Sequence, residues 1–179
     1  GFYSKKNVDE LLTARDGFLL SVPLNNKWVQ HAIDDIHEVI HGPEGYQKLD
    51  HEILYVHSRL SPWGNDNRRC YLHLYFNAHA RADAVDQFTE ELVGYKKELE
   101  SGELINAHQE AYDAFFVIKT TSKRGVKVSY NTQAVRQYIN RYSGFQALLT
   151  NSIKDPIESL QIYRDKDVVE KCFDDLKNQ

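Results

Sequence analysis

Apolar residues recur along the chain at two spacings, which predict helices alternating with strands. The segment after Asp155 has the clearest helical period, because its apolar residues lie three or four positions apart. This stripe consists of Val168, Val169, Cys172, Phe173 and Leu176. Asp155 stands directly before Pro156, an order typical of an N-cap followed by the first helical position. The pattern therefore predicts a long amphipathic helix that begins at Pro156 and reaches Lys177.

The rest of the chain shows the same two kinds of pattern. Helical spacing predicts helices at 4–15, 26–42, 81–100 and 131–142, and one that carries His108, Tyr112 and Phe115. Ser4 is the expected cap of the helix at 4–15, and Asn131 is the expected cap of the helix at 131–142. Short apolar or alternating runs predict strands at 17–24, in a hairpin over 51–77, and in segments beginning at 114, 125 and 144. The predicted fold class is α/β, taking an α+β form in this chain.

Length and composition are those of a globular protein. The chain has 179 residues, of which 41% are hydrophobic and 27% charged, and its formal net charge is −4. This length permits one sizeable core, or one core with an appendage. The two cysteines, Cys70 and Cys172, form neither a zinc motif nor a disulfide framework, which favours a reducing compartment. No apolar run approaches the roughly 20 residues that a membrane-spanning helix needs.

Charge is distributed unevenly along the chain. The stretch 119–154 contains no Asp or Glu, whereas 83–113 is mainly acidic. The cations of this basic block are Lys119, Lys123, Arg124, Lys127, Arg136, Arg141 and Lys154. Such a block inside a mildly acidic protein is an electrostatic feature typical of nucleic-acid binding. The alternative is a solvated loop followed by a helix with an arginine face.

Four polar residues fall along one edge of the predicted C-terminal helix. They are Tyr163, Lys166, Glu170 and Lys177. At about 100° per residue they occupy an arc of roughly 60° beside the apolar stripe, and at about 1.5 Å per residue they extend over about 21 Å. One carboxylate in line with two ammonium groups and a phenol suits a metal ion and the phosphates of a nucleic acid. The alternative is a solvated edge where Lys166 and Glu170 form an i,i+4 pair, worth about 0.2–0.5 kcal/mol.

The sequence contains few other signs of catalytic chemistry. It has no glycine-rich phosphate loop, no HExxH motif and no GxSxG elbow. Its 8 histidines are scattered, and we expect them to be ordinary surface or half-buried residues rather than metal ligands. Trp63, in the hairpin turn, is a candidate for stacking on a base, a contact worth roughly 1–3 kcal/mol. The alternative is that Trp63 folds back onto its own hairpin.

Both ends of the chain resemble one enzyme family. The segment ALLTNSIKDPIESLQIYRDKDVVEKCFDDLK resembles the catalytic helix of DDE transposases of the insertion-sequence-four group, in particular the bacterial and archaeal branch with a long insertion. That group carries Tyr, two residues, Arg, three residues, Glu, six residues, Lys. Here the spacing falls on Tyr163, Lys166, Glu170 and Lys177, with lysine in place of arginine. The start, GFYSKKNVDEL, resembles the segment after the second catalytic aspartate, and RRCYLHLYFN and YKKELESGEL are more loosely similar, so the resemblance covers nearly the whole chain.

The resemblance implies an incomplete ribonuclease-H-like core with a mixed α/β insertion domain. It also implies an enzyme that cuts and joins transposon ends by two-metal hydrolysis and transesterification. Glu170 would be the catalytic and metal-binding carboxylate, with two Mg²⁺ or Mn²⁺ ions in the intact parent. The residues expected to contact DNA are Tyr163, Lys166, Lys177, Lys123, Arg124 and Lys127. The implied partners are transposon-end and target DNA and a second protomer in a synaptic homodimer, with no membrane, in a prokaryotic cytoplasm close to the nucleoid.

The resemblance further implies how the chain divides. Residues 1–24 would be a helix and strand of the core, 25–150 the insertion domain, and 151–179 the catalytic helix. The other two catalytic aspartates would lie upstream of Gly1, so we expect this fragment to be inactive and to bind no metal by itself. The apolar strand at 17–24 would lose its sheet neighbours. We expect it either to pair with the same strand of a second copy or to be covered by the terminal helix.

Two alternatives without chemistry stay open. In one, the chain is a non-catalytic DNA-binding or protomer-assembly module, and the basic block binds transposon ends or a second protomer. In the other, it is a structural α+β domain whose helix edge has no role. An aspartate immediately upstream, followed by any residue and then Gly-Phe, would favour the enzyme.

Overall fold

The chain forms two compact units in the computed structural model, which describes residues 3–121 and 125–177. The side chains of Thr121 and of 167–177 lie outside this description. The first unit comprises residues 1–77 and 145–179, and the second comprises 78–144. The second unit is therefore inserted into the first along the chain.

Helices and strands follow one another largely as the sequence pattern predicts. The α-helices are α1 (Lys5–Ala14), α2 (Lys27–Ile36), α3 (Ala80–Ser101), α4 (Gln109–Phe115), α5 (Thr132–Tyr142) and α6 (Pro156–Lys177). The strands are β1 (Leu19–Ser21), β2 (Tyr46–Leu49), β3 (Glu52–Leu60), β4 (Tyr71–Phe76), β5 (Phe116–Thr121), β6 (Gly125–Tyr130) and β7 (Phe145–Thr150). Both sheets are antiparallel, so the α+β form is confirmed. Within the described part of the chain, no helix is long and apolar enough to cross a membrane.

Two of the predicted helix caps account for where helices begin. The Ser4 hydroxyl accepts a hydrogen bond from the Asn7 backbone N–H at 3.0 Å, ahead of α1. The Asn131 side chain accepts one from the Ala134 N–H at 3.2 Å, ahead of α5. Each bond satisfies a backbone donor that a helix leaves unpaired at its start. Both predictions of a cap are confirmed.

The first unit is built on one five-stranded sheet in the order β1-β7-β4-β3-β2. Strand alternation separates the side chains of β4, with His73 and Tyr75 on one face and Leu74 and Phe76 on the other. The helix α2 lies on the Phe76 face, where its Asp35 accepts a hydrogen bond from Arg59 of β3 at 3.0 Å. The helix α6 lies on the Tyr75 face. Because helices cover both faces, β4 and β7 are almost entirely buried.

The second unit packs three helices and a two-stranded ribbon around a small core. The buried members of this core are Phe88, Leu92, Leu99, Tyr112, Phe116 and Val128. The helix α3 supplies the first three, and β5 and β6 each supply one at the base of the ribbon. The ring of Phe88 also stacks on Tyr138 of α5, with a centroid separation of 4.4 Å. The ribbon is therefore anchored to the helices by its proximal half.

The strand expected at 17–24 is shorter and differently placed. β1 covers only Leu19–Ser21 and lies at the edge of an antiparallel sheet. It is paired in register with β7, Leu20 opposite Leu149, so the expected loss of every neighbour is wrong. The expected cover by the terminal helix is found. Leu19 packs against a cluster that contains Leu160 of α6.

Other boundaries also differ from the prediction. The strand β2 was not predicted, because its four residues, YQKL, are too few and too exposed to show an apolar alternation. The helix expected to reach Gly42 ends at Ile36 and is followed by turns. The division into 1–24, 25–150 and 151–179 does not coincide with the compact units. The reason is that β2, β3 and β4 hydrogen-bond in the same sheet as β1 and β7.

Candidate functional site

The start of α6 is held by its predicted cap. The Asp155 carboxylate accepts hydrogen bonds from the backbone N–H of Ile157 at 2.7 Å and of Glu158 at 3.0 Å. Pro156 occupies the first helical position, where a missing N–H costs nothing. Glu158 adds a negative charge in the first turn, where the helix dipole favours it. The sequence signal for this helix start is confirmed.

The loop before α6 is tied back to the sheet by an asparagine. The Asn151 carbonyl oxygen accepts from the Phe18 N–H at 3.0 Å, and its amide donates to the Asp16 carbonyl at 2.9 Å. These bonds join the end of β7 to the start of β1, although 133 residues separate Asn151 from Phe18. The loop before the candidate helix is therefore fixed to the segment that leads into β1.

Two polar side chains of β4 fix the first residue of α6 and the loop that precedes it. The Tyr75 hydroxyl donates to the Pro156 carbonyl at 2.7 Å, and burial raises the pKa of Tyr75 above its usual range. The fully buried His73 donates from Nε2 to the Ile153 carbonyl at 3.0 Å, since a carbonyl can only accept. This leaves Nδ1 of the neutral ring to accept from the Ser58 hydroxyl at 2.8 Å. The position of α6 is therefore set by hydrogen bonds as well as by packing.

These two anchors were not identified in the sequence as parts of the site. The available signal was the position of His73 and Tyr75 two residues apart in an otherwise apolar strand. That spacing puts both on one face of the sheet. It does not reveal their partners, which lie 80 and 81 residues away along the chain.

The helix α6 packs on the sheet through Leu160, which is 1% exposed. Leu160 shares a cluster with Leu54, Tyr75 and Leu148, one residue from each of three strands. Tyr163 lies three positions further along α6, and its half-buried ring packs against the same cluster. This agrees with its predicted place on the flank of the buried face.

Beyond Tyr163, the described part of the helix surface is charged. Arg164 donates to the Glu52 carboxylate at 2.7 Å and so ties α6 to β3. The next cation, Lys166, is exposed. The backbone of α6 continues through Glu170 and Lys177, so the four candidate residues lie on one continuous helix. The directions of the Glu170 and Lys177 side chains lie outside the described residues, and their roles stay predictions.

The cations of the basic block are spread over the ribbon, α5, the loop before α6 and undescribed residues. Lys127 is an exposed residue of β6, directly opposite Lys119 of β5. Lys123 and Arg124, the other candidate DNA contacts, lie outside the described residues. Tyr163 and Lys166 belong to the first unit and Lys127 to the second.

Trp63 is enclosed by aromatic residues. Its indole N–H donates to the Asp9 carboxylate of α1 at 2.8 Å. Its ring meets those of Trp28 and Tyr3 edge-on, at centroid separations of 6.0 and 6.5 Å. Trp63 is buried, so the hypothesis that it stacks on a base is wrong. Its partners outside its own hairpin come from α1, from α2 and from Tyr3 before α1.

A second group of titratable residues lies in the second unit and closes the turn between α3 and α4. The Tyr112 hydroxyl donates to a Glu98 carboxylate oxygen, and His108 donates from Nδ1 to the same oxygen at 2.9 Å. The Ile105 N–H in turn donates to the Tyr112 hydroxyl at 3.2 Å. Hydrogen bonds from Tyr112 and then His108 lower the pKa of Glu98. These hydrogen bonds join α3, the turn and α4, so we assign this group a structural role.

No group of three or more His, Cys, Asp or Glu side chains suited to a metal ion occurs among residues 3–121 and 125–166. The only metal ligand that the family resemblance places in this chain, Glu170, lies beyond that range. A search of family models, curated proteins and solved structures finds no match to this chain.

Burial of His73 predicts that the protein loses stability in acid. Burial lowers the pKa of His73 below the ordinary value of about 6.5, so the unfolded chain binds this proton first as the pH falls. The stability that the folded protein gains by holding His73 neutral is fully present above about pH 6.5 and is lost as the pH falls below that value. We expect His73→Gln to reduce the slope of unfolding free energy against pH by up to one proton, about 1.4 kcal/mol per pH unit.

Urea unfolding between pH 7 and pH 5 measures this slope. Ser58→Ala serves as the control, because it removes a partner of the ring and retains the imidazole. A His73→Gln variant with the wild-type slope would show that His73 does not carry the acid sensitivity.

Proposed function

We propose that the chain is the C-terminal part of the catalytic domain of a DDE transposase, an enzyme that cuts and joins transposon ends. The observation that best supports this is the continuous helix α6. It carries Tyr163, Lys166, Glu170 and Lys177 at the family spacing. Its first residue and the loop before it are hydrogen-bonded to a sheet. Ribonuclease-H-like enzymes carry their last acidic residue on a helix packed on a central sheet. The ribonuclease-H-like fold is therefore part of the same proposal.

Each residue of the helix edge has a role in this proposal. Glu170 supplies one carboxylate to the metal site. A Mg²⁺ or Mn²⁺ ion held there would supply Lewis-acid chemistry, which activates an oxygen nucleophile and stabilises a leaving oxygen. Lys166 and Lys177 bind phosphates as point charges, which impose a less strict geometry than the bidentate fork of an arginine. The ring of Tyr163, fixed by its packing on the sheet, presents a hydroxyl to the same DNA strand.

One carboxylate is a weak basis for a magnesium site. Mg²⁺ is normally held by one or two carboxylates together with substrate phosphates and waters. We therefore expect no cleavage or strand transfer by the 179-residue chain, and cleavage by a longer protein that adds the upstream aspartates. The test is a cleavage assay of both proteins on the element's end DNA with Mg²⁺ or Mn²⁺. Cleavage by the chain alone, or none by the longer protein, would contradict the proposal.

A non-catalytic DNA-binding or protomer-assembly module is the second candidate. It is favoured by the exposed ribbon of the second unit, where Lys119 and Lys127 lie opposite each other in a stretch without acidic residues. The two functions predict different results for the longer protein. A module binds end DNA without ever cutting it, whereas the transposase does both.

The basic block is expected to contact phosphates under either function. Each phosphate that a protein neutralises contributes about −0.9 to the slope of log K against log salt. Replacing Lys123, Arg124 and Lys127 with Ala should therefore weaken binding of the longer protein to any duplex and flatten that slope. Fluorescence anisotropy over a salt series measures both quantities. A slope equal to that of the wild type would assign the block to a solvated surface.

A further inference from the structure

The ribbon formed by β5 and β6 is held firmly at its base. Phe116 of β5 and Val128 of β6 belong to the buried core of the second unit. The Asn131 N–H donates to the Phe115 carbonyl at 2.7 Å, closing the point where the two strands leave the helices. Both strands of the ribbon are therefore fixed to the core of the second unit at their base.

The distal half of the ribbon extends past this core. Ile118 and Val126 lie on the same face as Phe116 and Val128, but they are 49% and 58% exposed. The alternation of side chains along each strand puts the lysines on the opposite face. The ribbon thus has an exposed apolar face and an exposed cationic face.

The cationic face carries two like charges at its centre. Lys119 and Lys127 are directly opposite each other in the register, and both are exposed. Residues opposite each other in an antiparallel pair have Cβ atoms about 4.5–5.5 Å apart, and like charges there destabilise the pair. Neither strand contains an acidic residue, and none occurs between 114 and 144. An anion that lies between the two ammonium groups offsets their repulsion and so stabilises the ribbon.

We propose that Lys119 and Lys127 form a phosphate clamp that holds the backbone of duplex DNA without reading its sequence. This inference rests on the proposed function, which supplies DNA as the polyanion. Ser129 is the other polar side chain described on this face, and its hydroxyl already donates to the Val117 carbonyl at 3.2 Å. Among the described side chains of the face, the lysines are therefore the groups left to meet DNA. Two point charges on a ribbon can orient the DNA backbone, but they do not distinguish one base sequence from another.

The exposed apolar face and the strand edges also suit a second copy of the chain, but the lysines oppose that pairing. Lysine on an exposed edge strand is a common protection against edge-to-edge association, because joining two copies brings further positive charges together. A nucleic-acid backbone meets the same surface with opposite charge. Charge complementarity therefore favours DNA over a second copy.

The test measures binding of the 179-residue chain to a labelled duplex of random sequence, about two helical turns long, over a range of salt concentrations. The double variant Lys119→Gln/Lys127→Gln is compared with Lys27→Gln/Lys97→Gln, which removes two exposed lysines from α2 and α3. We expect the ribbon variant to reduce the magnitude of the slope of log K against log salt by about 1.8. If the two proteins bind equally at about 1 M salt, the variant then binds about 60-fold more weakly at about 0.1 M salt. The control pair should keep the wild-type slope.

Two further readouts separate the clamp from its alternatives. The ribbon variant should unfold at equal or higher urea concentration than the wild type, because a repulsion is removed, so lost binding is not lost folding. Two duplexes of unrelated sequence should bind equally well.

Several results would overturn the clamp. An unchanged salt slope in a chain that still binds DNA overturns it and leaves the proposed function intact. Tighter binding to duplex RNA than to DNA also overturns it, and so does dimerisation that strengthens in the variant while DNA binding is unaffected. Absence of duplex binding by the chain overturns it as well, and cleavage by the longer protein then decides the proposed function separately.

Discussion

Replacing Glu170 with Gln in the proposed longer transposase is expected to abolish DNA cleavage and to leave DNA binding largely intact. The substitution keeps the shape of the side chain and removes the negative charge that the proposed metal site needs. Residues proposed to hold DNA, such as Lys166, remain in place, so binding should change little. Single-turnover cleavage of end DNA with Mg²⁺, and anisotropy on the same DNA, measure the two quantities.

The matched control is Glu158→Gln on the same helix. Glu158 is an exposed carboxylate in the first turn of α6, about three turns before Glu170, and the proposal gives it no chemical role. Its loss removes a favourable interaction with the helix dipole, worth about 0.3–1 kcal/mol, and should leave cleavage near the wild-type rate. Wild-type cleavage by the Glu170→Gln protein would show that Glu170 is not a metal ligand.

Replacing Leu160 with Ala is expected to lower the free energy of unfolding of the 179-residue chain by about 2–5 kcal/mol. Leu160 is 1% exposed and fills the space between α6 and strands β3, β4 and β7. Truncating it leaves a cavity where the sheet contacts the candidate helix. Folded proteins are typically stable by only about 5–15 kcal/mol, so a loss of this size is a large share of the total.

Ile162→Ala on the same helix provides the comparison. Ile162 is 44% exposed, so its truncation removes less buried surface and leaves no enclosed cavity. Urea unfolding of both variants at one pH, with unchanged m-values, gives the difference directly. If Leu160→Ala destabilised the chain no more than Ile162→Ala, α6 would not depend on this cluster for its position.

Local signals in the sequence were sufficient to locate most of the helices and strands. The apolar period after Pro156 and the cap at Asp155 predicted α6, and the turn-rich segment between 60 and 71 predicted the β3–β4 hairpin. These signals succeed because helical spacing, caps and strand alternation depend on residues within a few positions of each other. The edge strand β2 lacked such a signal, since a short exposed strand owes its formation to the neighbour β3 rather than to its own pattern.

For the candidate site, the sequence by itself determined which residues share one edge of α6, because helical geometry fixes the positions of Tyr163, Lys166, Glu170 and Lys177 on a regular helix. It also located the basic block, since charge can be counted along the chain. Only the tertiary structure showed that Tyr75 and His73 hold the start of α6 and the loop before it, that Trp63 is enclosed, and that Lys119 faces Lys127. Each of these depends on a partner chosen by sheet register or by packing between distant segments. A side chain's partner across such a distance is decided by the whole fold, which no local pattern of residues specifies.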